Sequence, residues 1–527
     1  MTTTAIPSDA ASVSPFFGDA RACKAWLAAL PMTSIAQAQV SLLDALRVFN
    51  RGAFEPLERL KCLELLRDRI AFMLGEQRTR SFSRLLPLAP GDAVAWTNAR
   101  NVLEEMEAGY RKCLAEPALA EHAALVTQRI VRYIGAQMLL HSLVYRPFDA
   151  ALWTRLHEQY ASAERAGIAD TRVKDSLESE GGASSVMEAY ARVVLMQAAG
   201  LPELTPAQVA FADALLRQWM RKVRVVDRAP AEVSTSVLPM VVDLSQASGA
   251  SAAPRDALAP TQRVIDVESL SRSIRRRIRA LQAGDDVGTL GLPAEVGAVD
   301  AHHTLQRLVH RWCEPGTRES APKPSADTVA GLVFGVGNVH LHLSGGKAFE
   351  QPDKERELSR QEKEDIAVFG RVTQRTQSMM TTAAQNVLPE PWDVLDEAPG
   401  RLRLRRRASA TQPIGVGRLV GVRLGDGGEL QVAVVRALHD DGAALTATVE
   451  IFPGKADPKA VRGPKPPWVQ GLLLPAIETL GMPASLVVPG GLAFKGRPLF
   501  VWQGGAVEGR VQEVVERGAD FDRVTLF

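Results

Sequence analysis

Two short segments in the C-terminal third hold residues able to grip an anion. Residues 371–375 read RVTQR, which sets Arg371 and Arg375 four positions apart. Each guanidinium is a planar fork of donors that fits a phosphate bidentately. Further on, 396–404 read DEAPGRLRL, joining the carboxylate of Asp396 to Ala398, Gly400 and Arg401. A carboxylate accepts from N–H donors, and a glycine lets a ligand approach the backbone. A ligand-free account of the arginines is equally concrete. The capping box Ser359-Arg360-Gln361-Glu362 predicts a helix through Ile366 and Phe369. If that helix continues, Arg371 and Arg375 share one face near its C-terminus, where cations favour the dipole.

Other reactive groups do not assemble into a pattern. Histidines occur as His302-His303, His310, His340 and His342, on separate elements and without a nearby cysteine pair, so no metal site is expected. The chain has no Walker-type loop, nucleophile elbow or H-E-x-x-H. Residues 331–337 (GLVFGVG) lack the βαβ setting of a dinucleotide fingerprint. Neither catalysis nor a cofactor is therefore expected. The cluster Arg272, Arg275, Arg276, Arg277 and Arg279 is offset by Asp266, Glu268, Asp285 and Asp286 and reads as a solvated helix face. The run Arg401, Arg403, Arg405, Arg406 and Arg407 adjoins Asp396, and strand alternation puts the first three on one face.

The elements that must position these groups fall into blocks. Residues 1–19 read as a disordered N-terminus. Residues 20–222 read as an all-helical domain, with apolar residues at helical spacing such as Leu60, Leu63, Leu66 and Ile70. Thr205, Pro206 and Gln208 form a capping box with proline at the first helical position. Trp153, Leu156, Tyr160 and Ala163 match half of a tetratricopeptide repeat, but no second copy follows at the required period. Residues 223–346 read as a small mixed α/β domain, with 332–343 open between helix and strand. In it, Asp243, Ser245 and Gly249 imitate the spacing around Asp396, one residue too long. Residues 347–389 read as a helical linker carrying Arg371 and Arg375. Residues 390–527 read as a small antiparallel barrel with a C-terminal extension. Its strands at 402–404, 418–424, 430–438 and 445–452 are punctuated by glycine-rich turns, 453–467 reads as a linker, and strands around 485–488, 499–502 and 511–515 complete the end. The fold class is α+β.

The C-terminal layout resembles the PilZ family, small β-barrels that bind cyclic di-GMP. That family places an Arg-x-x-x-Arg before the barrel, an Asp-x-Ser-x-x-Gly on it, and strands ending in a pattern like TATVEIF (446–452). The resemblance implies that Arg371 and Arg375 hold phosphate or guanine, and that Asp396 accepts from guanine N–H donors. Ala398 stands where the family has serine, and Arg401 where it has glycine, with Gly400 one residue early. An arginine in a left-handed conformation would be strained by about 1 kcal/mol or more; alternatively Gly400 takes that role. The segments LSRSIRRRIRALQ, IAVFGRV, PWDVLDEAPGRLRL and ERGADFDRV are similar to long bacterial proteins with a helical front and a degenerate PilZ-like end. Two functional readings stand: a cyclic di-GMP receptor that engages a protein partner through its helical half, or a ligand-independent scaffold with an altered barrel.

Bulk composition agrees with a globular protein of several domains. The 527 residues are 46% hydrophobic and 23% charged, with a net charge of +2, so no basic field points to a nucleic-acid polymer. Four isolated cysteines fit reduced thiols and a cytoplasmic location. No apolar run is long enough to insert in a membrane.

Overall fold

A computed structural model describes residues 16–80, 85–178, 182–227, 237–238, 240–252, 258–293, 296–314, 323–325, 328–352, 388–425 and 427–527. Arg371, Arg375 and the capping box at Ser359 lie outside the described residues.

The N-terminal part is built from α1 (Ala20–Ala28), α2 (Ile35–Arg51), α3 (Pro56–Arg80), α4 (Pro90–Leu114), α5 (Ala123–Ser142), α6 (Ala151–Arg165), α7 (Val186–Ala198) and α8 (Pro206–Trp219). The hairpin of β1 (Val173–Lys174) and β2 (Ala183–Ser184) separates α6 from α7. The apolar spacings define the buried faces: Leu60, Leu63, Leu66 and Ile70 of α3 are all buried. Thr205 caps α8 reciprocally with Gln208. Trp153, Leu156, Tyr160 and Ala163 pack on one face of α6 and are core residues of a single helix.

Next come β3 (Arg224–Val226), β4 (Met240–Asp243), β5 (Ser251–Ala252) and β6 (Gln262–Asp266), an antiparallel sheet in the order β3-β6-β4-β5. α9 (Glu268–Ala283) and α10 (Ala298–Cys313) follow. These elements have no separate core. Val242, Ile265, Leu270, Ile274, Leu305 and Trp312 belong to the same buried cluster as the N-terminal helices. Trp312 seals the junction by donating its indole N–H to the Leu195 carbonyl, 2.8 Å away. The signature-like Asp243 and Ser245 form an Asx turn, with Asp243 Oδ1 accepting from the Ser245 amide at 3.0 Å and hydroxyl at 2.6 Å. In the arginine-rich α9, Arg275 pairs with Glu314 at 3.0 Å, and Arg277 stacks 4.2 Å over Trp219.

The C-terminal part contains two closed six-stranded antiparallel barrels. A short strand, β7 (Lys323–Pro324), precedes β8 (Val329–Phe334), and α11 (Val336–Leu343) follows it, so the ambiguous 332–343 stretch is strand and then helix. β9 (Glu390–Ala398), β10 (Arg401–Arg406), β11 (Leu419–Leu424), β12 (Gln431–Asp440) and β13 (Leu445–Ile451) close with β8 in the ring β8-β9-β10-β13-β12-β11. β7 adds to the edge of β9. The first barrel thus takes a strand from ahead of residue 346. Ala330, Leu332 and Phe334 face its interior, while Val333 faces the second barrel. Burial on both sides gives β8 a continuous apolar sequence, which does not distinguish strand from helix.

The strands expected around 485–488, 499–502 and 511–515 are present, but with the stretch expected to be a linker they form a second barrel and not an extension of the first. β14 (Asp457–Arg462), β15 (Val469–Leu474), β16 (Ser485–Pro489), β17 (Pro498–Trp502), β18 (Ala506–Arg517) and β19 (Phe521–Leu526) close in the order β14-β15-β16-β19-β18-β17. β14 reads DPKAVR and has one fully buried side chain, Val461. It lacks an alternating signal because its place between β15 and β17 is defined by backbone pairing. α11 lies between the barrels: Val336 and Val339 share a core with Leu419, Val432, Leu472 and Val487. No described helix is long and apolar enough to cross a membrane.

The helical part enters the first barrel at two points. Leu86 and Ile414 exchange backbone hydrogen bonds of 2.7 and 2.9 Å. Tyr145 is buried in the barrel core, and its carbonyl accepts from the Asp440 amide at 2.8 Å. The neighbouring Arg146 pairs with Asp440 at 3.1 Å.

Candidate ligand-binding site

Asp396, Ala398, Gly400 and Arg401 form one hairpin of the first barrel. Ala398 pairs directly with Arg401, so Pro399-Gly400 is a two-residue turn. Proline presets φ at the first central position, and Gly400 takes φ +71° at the second, the order a type II turn demands. Arg401 begins β10 and is not among the residues of positive φ. The turn glycine is therefore Gly400, one residue earlier than the family pattern, and Arg401 carries no left-handed strain. The Gly400 carbonyl accepts from Ile451 N at 2.7 Å, fixing the turn to the end of β13. A Cβ on Gly400 would meet no atom within 4 Å. Gly400→Ala should thus lower barrel stability by about 1–2 kcal/mol through backbone conformation alone, read as an earlier denaturant midpoint. An unchanged midpoint would mean that the turn relaxes without cost.

A β-bulge positions the carboxylates. β9 and β10 shift register at Arg403/Leu404, so Arg403 opposes Asp396 while Leu404 opposes Val394. Asp393 and Asp396 are an odd number of residues apart and would point to opposite faces of a regular strand. The extra residue brings both onto the outer face. Arg401, Arg403 and Arg405 occupy that face too, with Leu402 and Leu404 buried between them. Arg403 pairs with Asp396 at 2.6 Å, and Asp393 pairs with Arg407 at 2.7 Å and Arg405 at 3.3 Å. The Arg407 hydrogen bond, with help from Arg405, holds the Asp393 carboxyl below its ordinary range.

The other flank of β10 was less visible in the sequence. Arg401, Arg403 and Arg405 oppose Glu450, Thr448 and Thr446 of β13, so the TATVEI alternation supplies two hydroxyls and a carboxylate to the same face. Glu450 is also tied to Arg436 at 2.7 Å, and Arg436 reaches Glu516 of the second barrel. Burial works to lower the basicity of Arg436, but Glu516 and Glu450 outweigh it and raise its pKa. The hairpin surface is thus linked by charge to the neighbouring barrel.

The face offers guanidinium forks, a carboxylate and an open glycine turn. It suits a ligand bearing both phosphate and N–H donors. The Arg403–Asp396 pair is a weak obstacle. Arg403 is 56% exposed, and exposed ion pairs contribute about 0–1 kcal/mol. Asp396 has two oxygens and can accept from Arg403 and a ligand together. Among the described residues, no group of three or more His, Cys, Asp or Glu side chains is arranged to hold a metal ion.

A helical N-terminal part leads into a barrel that carries this hairpin. Residues 21–230 match the family described as "Cyclic-di-GMP receptor FimW, N-terminal domain". No curated protein and no solved structure matches the chain.

Proposed function

We propose that this protein is a cytoplasmic cyclic di-GMP receptor without catalytic activity, whose ligand bridges Arg371 and Arg375 to the β9–β10 hairpin. The observation that carries the reading is the joint placement of Asp396, Gly400 and Arg401 at one open turn, in a chain whose helices match a cyclic di-GMP receptor's N-terminal domain. In this reading Asp396 accepts from the N–H edge of one guanine. Arg371 and Arg375 hold the phosphates or the other guanine edge, and Arg401 adds positive charge beside the turn. Ala398 offers no hydroxyl where the resembling family has serine. Good bidentate base recognition is worth about 1–3 kcal/mol, which exceeds the cost of adjusting the exposed Arg403–Asp396 pair.

Ligand capture would alter how the segment carrying Arg371 and Arg375 lies on the barrel, and hence the surface offered to a protein partner of the helical half. Calorimetric titration with cyclic di-GMP tests this. The full chain should bind saturably, and Arg371→Ala or Arg375→Ala should each weaken binding by about tenfold or more, as loss of a charge-assisted contact implies. Absence of binding heat at tens of micromolar ligand would favour the scaffold reading.

A further inference from the structure

The helical domain encloses a second site of different character. A cavity of about 550 Å³ lies among α3, α5, α7 and α8, within the size range of small-molecule pockets. One wall is apolar, formed by Leu103, Leu139, Leu143 and Met196. Cationic side chains share the lining. Arg78, Arg192 and Arg217 converge on a single carboxylate, Asp213, which is nearly fully buried. Arg67 and Arg132 both engage the buried Asp175, and Arg172 and the exposed Arg221 complete the lining.

Charge is not balanced there. Seven arginines line the cavity against three carboxylates, Glu178, Glu188 and Asp213. Adding Asp175 and Glu64 behind them, which pair with Arg67, and Arg129, which shares both, eight arginines face five carboxylates, a surplus of three cations among the described residues. The carboxylates are shared: Asp213 serves three arginines, and Glu178 serves both Arg132 and Arg192. Arg78 has the poorest partner, 3.8 Å from Asp213. Arg67 is 1% exposed, yet its Nε has no hydrogen-bond acceptor. Crowded, under-compensated guanidiniums are costly to bury. Burial lowers the basicity of Arg78; Asp213 opposes this without outweighing it, and the neighbouring Arg217 and Arg192 add to the lowering.

We propose that this cavity binds a small organic phosphate, its dianionic head among Arg78, Arg192 and Arg217 and its apolar body along the leucine wall. A dianion offsets most of the surplus, which a single carboxylate would not, and guanidinium forks match phosphate oxygens bidentately. The apolar wall gives an organic body an advantage over inorganic phosphate. This site is separate from the barrel hairpin and would give the helical domain its own ligand input.

Phenyl phosphate is a suitable probe, titrated calorimetrically into the full chain at constant ionic strength beside inorganic phosphate and phenol. Phenyl phosphate should bind saturably and more tightly than either. Arg78→Gln should weaken it about tenfold, and Glu178→Gln, which enlarges the cationic surplus, should tighten it severalfold. The gain in Glu178→Gln does not arise from misfolding, so it checks the loss seen in Arg78→Gln. Arg371→Ala should leave phenyl phosphate binding unchanged. No saturable binding, equal affinity for inorganic phosphate, indifference to both cavity substitutions, or loss in Arg371→Ala would each overturn the assignment.

Discussion

Asp175→Asn is expected to destabilise the helical domain by about 3–5 kcal/mol, the cost of removing one partner from a buried ion network. Asp175 is 1% exposed and follows β1. It accepts from Arg67 Nη2 at 2.6 Å and Gln128 Nε2 at 3.1 Å, and pairs with Arg129 at 3.1 Å and with Arg132. Arg129 continues the network to Glu64 at 2.8 Å, and Tyr110 donates to the same carboxylate at 2.6 Å. One small hairpin thereby fastens α3, α4 and α5. Asparagine keeps the shape but leaves three guanidiniums crowded together.

The same group predicts a pH dependence. Burial works to raise the pKa of Asp175, but Arg132, Arg129 and Arg67 outweigh it and hold the carboxyl well below the usual range. A depressed folded-state pKa means that the stabilisation is complete above the unfolded value, about 3.9. It is lost as pH falls from there towards the folded value. The gap in melting temperature between the native chain and Asp175→Asn should be constant from pH 7 to about 5 and shrink below about pH 4. A gap that widened on acidification would refute the assigned charge state.

Tyr145→Ala should be comparably severe, at about 3–5 kcal/mol for a large buried aromatic, and should loosen the seam between helices and barrel. Tyr145 has φ +57°, the one non-glycine residue in the left-handed region among the described residues. A bulky side chain there costs about 1–3 kcal/mol and persists only where its surroundings hold it. Here the ring lies in the first barrel's core beside Leu86 and Ile414, and its hydroxyl donates to the Leu204 carbonyl at 3.2 Å. Tyr145→Gly loses the same ring but relieves the backbone, so it should be the milder variant by about 1 kcal/mol. Denaturation followed by tryptophan fluorescence and by far-ultraviolet dichroism should show transitions that separate in both variants. Coincident transitions with a small loss would show that the peg does not couple the two parts. In the receptor reading, this seam is the route by which the barrel's ligand state reaches the helices.

Much of the fold was legible where side-chain periodicity matches burial. Helices such as α3 and α8 and the strand β13 show one buried face each, so spacing reveals them, whereas β11 and β12 are buried on both faces and stood out as apolar runs bounded by glycine-rich turns. Strands at 485–488, 499–502 and 511–515 were readable, but their closure into a second barrel was hidden because β14 is polar and is held by backbone pairing on both edges, which no side-chain pattern reports. The shared core of the helical and mixed parts was hidden because it depends on which buried faces meet. At the candidate site, the turn chemistry of Pro399-Gly400 was readable, and the structure assigns the left-handed position to Gly400. The partner of Asp396 was not readable. It follows from the bulge in β9, and one residue of register decides whether Asp396 meets the arginine face or the barrel interior.

The central claim is that one ligand joins Arg371 and Arg375 to Asp396. A crystal structure of the full chain with cyclic di-GMP tests it most directly. The account predicts the dinucleotide on the outer face of β9 and β10, with a guanine N–H edge on Asp396 and both arginines in contact with it. Density placed elsewhere, including the arginine-lined cavity of the helical domain, with Asp396 paired only to Arg403, would contradict it.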